Sequence, residues 1–164
     1  MGPTRIESLG GKRYIIVMVD DFTKFTSAIL LRSKSKAPQQ IEILCKRFQN
    51  GKGVCINRLQ SDHGKEFENS QLEQFSIEVR IAQEFLAPIT PQQNGVVELK
   101  NLVIQEMVSA IMHNKDVAKY LLGESMNIAC HTINKVHFLP RTKKTPYELW
   151  KGKKAKCKIF QNIW

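Results

Sequence analysis

The run Tyr14-Ile15-Ile16-Val17-Met18-Val19 is apolar at every position and rich in β-branched side chains. A strand covered on both faces reads this way, which makes residues 12–19 a central strand. Asp20-Asp21 stops it, and a second run over residues 26–31 completes an antiparallel hairpin. Ser33 or Ser35 can start the helix that follows, in which Ile41, Ile43, Leu44 and Phe48 recur at helical spacing up to Gly51. Residues 54–59 predict a third strand, ended by Ser61-Asp62-His63-Gly64. Asn69 caps a short helix over residues 70–79, and residues 81–86 predict a fourth strand. Residues 87–95, Ala-Pro-Ile-Thr-Pro-Gln-Gln-Asn-Gly, read as an irregular, proline-bounded loop. A long helix then runs from Val96 to about His113, with Val97, Ile104, Met107, Val108 and Ile111 on its apolar side. A last long helix covers about residues 117–136, and a single helical turn fits residues 146–150. The order β-β-α-β-α-β-α-α predicts an α/β fold, a mixed sheet flanked by helices. Residues 1–150 read as one domain, and residues 151–164 as a Lys-rich tail.

Charge adds a partner class. Lys and Arg number 25 against 15 Asp and Glu, a net charge of +10. That excess points to a polyanion, and to nucleic acid before membrane, because no basic amphipathic anchor accompanies it. A merely solvated basic surface is the bland alternative. Cys45, Cys55, Cys130 and Cys157 form no CxxC, and His63, His113, His131 and His137 complete no zinc pattern with them. They read as free thiols of a reducing compartment. No signal-peptide core and no apolar run of membrane-spanning length is visible, so the sequence predicts a soluble, intracellular chain.

The candidate chemistry lies in two carboxylates. Asp62 follows a predicted strand, where functional groups collect, and Glu98 falls in the expected first turn of the long helix, with 35 residues between them. Each also has an ordinary explanation. Asp62 can serve an Asx turn, and a first-turn Glu gains about 0.3–1 kcal/mol from the helix dipole. From the residues alone both readings stay open.

The segments KRYIIVMVDDFTKFT, RLQSDHGKEFENSQLEQF, APITPQQNGVVELKN and TPYELWKG follow one another in an order and spacing that resembles the catalytic core of copia-type retrotransposon integrases. The resemblance runs from about Gly2 to Gly152 and implies an RNase H-like fold, part of a Gag-Pol polyprotein. It also implies a DNA-integrating polynucleotidyl transferase that cuts and joins strands by direct transesterification. Such chemistry uses two Mg²⁺ ions about 3.5–4 Å apart, with Mn²⁺ as a substitute, held by hard carboxylate oxygens. Carried over, Asp62 and Glu98 become catalytic, metal-holding residues. Gln92, Gln93 and Asn94 become phosphate or sugar contacts in the loop, and Lys100 a nucleic-acid contact on the helix. The implied partners are retroelement ends and target DNA, with a homo-oligomer as a further expectation, no membrane, and the nucleus as the place of work.

The chain departs from the family pattern in two places. The family's first catalytic Asp precedes a Gly-Pro resembling Gly2-Pro3, so it would fall two residues before Met1, and the central first strand of the sheet would be truncated. Asp20 or Asp21 could stand in, although in the resemblance they only end the second strand. Glu98-Leu99-Lys100-Asn101-Leu102 also carries leucines where the family carries cations. These departures predict a chain that neither nicks nor joins DNA and unfolds with poor cooperativity. The alternatives are a non-catalytic nucleic-acid-binding module or a remnant of a decayed element. Lys151, Lys153, Lys154, Lys156 and Lys158 in the tail can equally be a solvated end or a further nucleic-acid contact.

Overall fold

The computed structural model describes residues 7–8, 10–53, 55–62, 64, 67–85, 91–114, 117–140 and 142–154. Strands β1 (Tyr14–Val19) and β2 (Thr26–Leu31) pair with each other. Arg13 N donates to Leu31 O at 2.8 Å and Asp20 N to Phe25 O at 2.9 Å, so the pair runs antiparallel, as its pattern predicts. Helix α1 (Ala37–Lys52) follows a single 3-10 turn at Lys34–Lys36. Neither serine caps it. The Ser33 and Ser35 hydroxyls bond each other at 2.8 Å, and Pro38 supplies the pre-set φ of a helix start instead. The helix ends at Gly53, whose φ of 64° lets its N–H reach Gln49 O at 2.8 Å.

The third strand is displaced from its predicted place. β3 (Arg58–Ser61) pairs in parallel with β4 (Ala82–Phe85), in register Arg58↔Ala82 through Ser61↔Phe85. Residues 55–57 stay outside the ladder except for Asn57 O, which accepts from Ala82 N at 2.9 Å. Paired length follows the partner available, and β4 has four residues. The expected mixed sheet is therefore present, among the described residues, as two two-stranded sheets, one antiparallel and one parallel. Between β3 and β4 lies α2 (Ser70–Glu78), capped as predicted: Asn69 Oδ1 accepts from Gln71 N at 2.8 Å.

The largest departure is α3, which spans Pro91–Asn114. The predicted loop at residues 91–95 is helical, and residues 86–90 lie outside the described residues. Proline at the first helical position donates no N–H where none is needed, and one interior glycine costs only about 1 kcal/mol. Glu98 is thus the eighth residue of α3 and not a first-turn residue, which removes the dipole explanation for it. A 3-10 turn at Lys119–Leu121 leads into α4 (Leu122–Val136), shorter than predicted at its start. The final turn is α5 (Pro146–Lys151), with a complete capping box: Thr145 Oγ1 accepts from Glu148 N at 3.2 Å, and Glu148 Oε2 accepts from Thr145 N at 2.9 Å.

Contacts divide the chain into two compact units. The first contains residues 29–96 with the start of β1. Its core is Ile41, Leu44 and Cys45 of α1 against Leu72 and Phe75 of α2, with Ile81 entering β4. Ile43, counted among the apolar positions of α1, is half-exposed instead. Gln83, on the inner face of β4, donates to Ser76 Oγ at 2.9 Å, while Arg58 and Gln60 meet Glu84 on the outer face at 2.9 and 3.4 Å. The second unit contains the hairpin turn and residues 97–164. Ile104 and Val108 of α3, and Met126, Ala129, Cys130 and Ile133 of α4, form its core. Phe25 stacks on Trp150 at 5.0 Å, fixing α5 to the end of the hairpin turn. A buried Asn134 completes the backbone of Thr26: its Oδ1 accepts from Thr26 N at 2.8 Å and its Nδ2 donates to Thr26 O at 2.7 Å.

Candidate metal and nucleic-acid site

Asp62 stands directly after Ser61, the last residue of β3, at the end where both parallel strands finish. Its side chain is exposed, and Oδ1 accepts a long 3.3 Å bond from Gly64 N, an Asx turn of the expected kind. That single weak bond leaves most of the carboxylate's acceptor capacity open. Among the described residues it has no ion pair. Glu98 projects from α3, exposed, and likewise has no ion pair among the described residues. Asp62 belongs to the first unit and Glu98 to the second.

Asp20 and Asp21, the tempting substitutes for a third carboxylate, have other work. Asp20 Oδ2 accepts from Thr23 N at 2.7 Å and from Thr23 Oγ1 at 2.6 Å, which builds the hairpin turn, and Asp21 pairs with Lys24. Among the described residues no three His, Cys, Asp or Glu side chains gather into a metal-holding group. Asp62 and Glu98 nonetheless suit Mg²⁺ in donor type. Both are hard oxygens, neither is paired with a cation among the described residues, and Mg²⁺ keeps several waters and needs few protein ligands.

Lys100 lies two residues past Glu98 and is half-buried on α3. Burial pushes its ammonium below the ordinary lysine range, and the nearby charge of Lys24 adds to the effect. Nothing in the sequence pattern singles out Lys24, which sits in the hairpin turn at φ 56°. Leu99 and Leu102, where the family places cations, are 63% and 56% exposed. Gln92, Gln93 and Asn94 belong to the first turns of α3 and not to a loop, and their side chains lie outside the described residues. The described part of the Lys-rich tail ends at Lys154, so Lys156 and Lys158 also lie outside it. No helix among the described residues is long and apolar enough to cross a membrane.

An α/β unit of parallel strands with an acid at their shared end, followed by a long helix carrying another, is the arrangement of RNase H-like cores. The fold matches solved examples of that class over most of its length. It covers 89% of this chain and 90% of the HTLV-2 integrase catalytic core domain in complex with magnesium (trimeric form), with TM-score 0.66 and 18% identity. The match to the simian T-cell lymphotropic virus intasome in complex with PP2A regulatory subunit B56 gamma has TM-score 0.70 and 18% identity, over 90% of this chain and 51% of that one. Residues 3–91 match the family model described as integrase core domain, and the chain belongs to that family. It is 30% identical, over 99% of its length, to the Retrovirus-related Pol polyprotein from transposon TNT 1-94 of Nicotiana tabacum, and spans 13% of that polyprotein. Relatives among the Pol polyproteins of plant transposons, which are copia-type, agree with the motifs, and the Pro-Pol polyprotein of Feline foamy virus is 30% identical over 87% of the chain. Asp62 falls inside the matched stretch, whereas Glu98 and Lys100 fall beyond it.

Proposed function

We propose that this chain is part of the catalytic core of a retrotransposon integrase, a family whose role is cutting and joining DNA strands, and that Asp62 and Glu98 are carboxylates holding its Mg²⁺. The observation that carries the reading is the condition of Asp62. It is an exposed carboxylate, without a cation among the described residues, at the shared end of two parallel strands inside the family-matched stretch. Bound there, Mg²⁺ would supply charge neutralisation at the phosphate and activation of the attacking oxygen. Mn²⁺ would substitute, since the same oxygen ligands suit it. The chain itself contributes the two carboxylates. Lys100 offers a phosphate contact, and Gln92, Gln93 and Asn94 offer amides to phosphate or sugar. The partners in this reading are retroelement ends, target DNA and further copies of the chain, and the place of work is the nucleus. The neighbours solved as an intasome and as a trimeric form support the oligomer and the DNA partner.

A non-catalytic nucleic-acid-binding module is the second reading. It is favoured by the excess of 25 Lys and Arg over 15 Asp and Glu, which attracts phosphate without metal or chemistry. Fluorescence anisotropy of a labelled duplex, with and without Mg²⁺, separates the two. The metal-holding reading expects Mg²⁺ to tighten binding, and expects Asp62→Asn or Glu98→Gln to remove that increment while metal-free binding stays. Wild-type binding indifferent to Mg²⁺ supports the module and sinks the metal site.

A further inference from the structure

The net charge of the chain is concentrated at one end. Residues 125–164 carry nine Lys and Arg and one acid, Glu148, so this stretch holds +8 of the total +10. Among the described residues the fold leaves that imbalance uncompensated. The Glu148 carboxylate is turned back onto Thr145 N in the capping box of α5. Lys135, Lys143, Lys144, Lys151, Lys153 and Lys154 have no ion pair among the described residues.

Part of this charge is also held in a fixed frame. Between α4 and α5 the chain closes a tight loop, with an antiparallel bridge Leu139↔Lys144 in which Leu139 N donates to Lys144 O at 2.9 Å. Leu139 O accepts from Thr142 N at 3.1 Å and from Lys143 N at 3.0 Å. Lys143 sits at φ 50°, a left-handed conformation that costs a non-glycine residue free energy and persists only where its surroundings impose it. Lys143 and Lys144 are therefore presented, exposed, on a bonded loop and not on a free tail. On its two sides Lys135 of α4 lies over the Tyr147 ring of α5 at 5.4 Å, and Gly152 ends α5 just before Lys153 and Lys154. Phe138, 64% exposed, precedes the loop and adds an aromatic face to this cationic segment.

We propose that the loop closed by Leu139 and Lys144, together with α5 and residues 152–154, is a second DNA-binding surface that grips the phosphate backbone without reading sequence. Its cations are Lys135, Lys143, Lys144, Lys151, Lys153 and Lys154. The choice of DNA over another polyanion rests on the integrase reading, but the surface does not depend on metal at Asp62 or Glu98.

The test measures association with a labelled random-sequence duplex across a range of salt concentrations, without divalent metal. Each lost phosphate contact flattens the log–log slope by about 0.9, so Lys143→Gln/Lys144→Gln should flatten it by about 1.8. At 0.1 M salt that is on the order of 60-fold weaker binding. Lys36→Gln/Arg47→Gln, exposed residues of the first unit, removes the same charge and should leave the slope within about half a unit of wild type. Equal losses in the two pairs would mean that only net charge acts, and would overturn the proposal. Binding to phosphatidylserine vesicles or to polyglutamate that needs Lys143 and Lys144, with DNA binding unaffected, would also overturn it. Acetylation footprinting of the wild-type chain keeps the test independent of variant folding: Lys143, Lys144 and Lys151 should be protected by duplex, and unprotected lysines there refute the surface. These readouts use no divalent metal, whereas the metal site is read from the Mg²⁺ increment, so a failed metal site and a failed basic surface give different outcomes.

Discussion

Replacing Asn134 by Leu should destabilise the second unit more than any other change of similar size on α4. The side chain is 4% exposed and its amide meets Thr26, itself 1% exposed, at both backbone atoms, 2.8 Å at N and 2.7 Å at O. The partners are 108 residues apart in sequence, so this amide ties the first residue of β2 to the last turn of α4. Leucine keeps the volume and removes both bonds. A buried donor or acceptor left unsatisfied costs about 1–3 kcal/mol, hence about 2–6 kcal/mol for the two. For a chain of this size that lowers the melting temperature by roughly 5–20 °C. Asn134→Asp separates hydrogen bonding from volume. Ionised, it sets a buried carboxylate against Thr26 O, whereas a protonated carboxyl can accept from Thr26 N and donate to Thr26 O. Thermal unfolding followed by circular dichroism should therefore show the Asp variant recovering stability as pH falls through the carboxylate range. A Leu variant melting within about 2 °C of wild type, or an Asp variant with no such recovery, would refute the reasoning.

The buried thiols predict alkaline weakening. Burial raises Cys45 and Cys130 from 9.0 to about 11, so their contribution is intact below pH 9. Above that pH the unfolded chain loses thiol protons that the native chain retains, so stability falls between pH 9 and 11, by up to about 3 kcal/mol per thiol. Urea midpoints of Cys45→Ala and Cys130→Ala that fall with pH as steeply as wild type would contradict this. In the same chain the exposed Cys55 should react with a thiol reagent under native conditions well before Cys45 and Cys130. Thr145→Ala removes the cap of α5 and should cost about 0.5–2 kcal/mol, read from urea unfolding, and loosen the Phe25–Trp150 stack, read as a shift in Trp150 fluorescence.

Much of the fold was legible because local rules and tertiary packing agree. The hairpin could be read from an unbroken apolar run beside a second β-rich run, and α2 from a single asparagine at the right place. The start of α3 was not legible. Pro91 and Gly95 look like loop punctuation, yet proline suits a first helical position, and a Cβ at Gly95 would meet nothing within 4 Å, so no close approach forces glycine there. The start of β3 was misread because an apolar stretch says nothing about how long its partner is. Asn134 could not be read at all, since its meaning lies in a backbone 108 residues away. Asp62 and Glu98 were visible only through their motifs, because an Asx-turn aspartate and a solvent-facing helical glutamate are individually ordinary. The basic loop was hidden for a different reason: its lysines read as a solvated face until the bonds that hold Lys143 and Lys144 in place are seen.

The proposal that Asp62 and Glu98 hold metal is tested most directly by substoichiometric Mn²⁺ added to isotopically labelled protein. Paramagnetic broadening should strike the amide signals of Ser61 and Gly64 and those of Leu99 and Lys100 at the same Mn²⁺ concentration, and Glu98→Gln should relieve it at both places. Broadening confined to one of the two stretches, or centred on neither, would contradict the account.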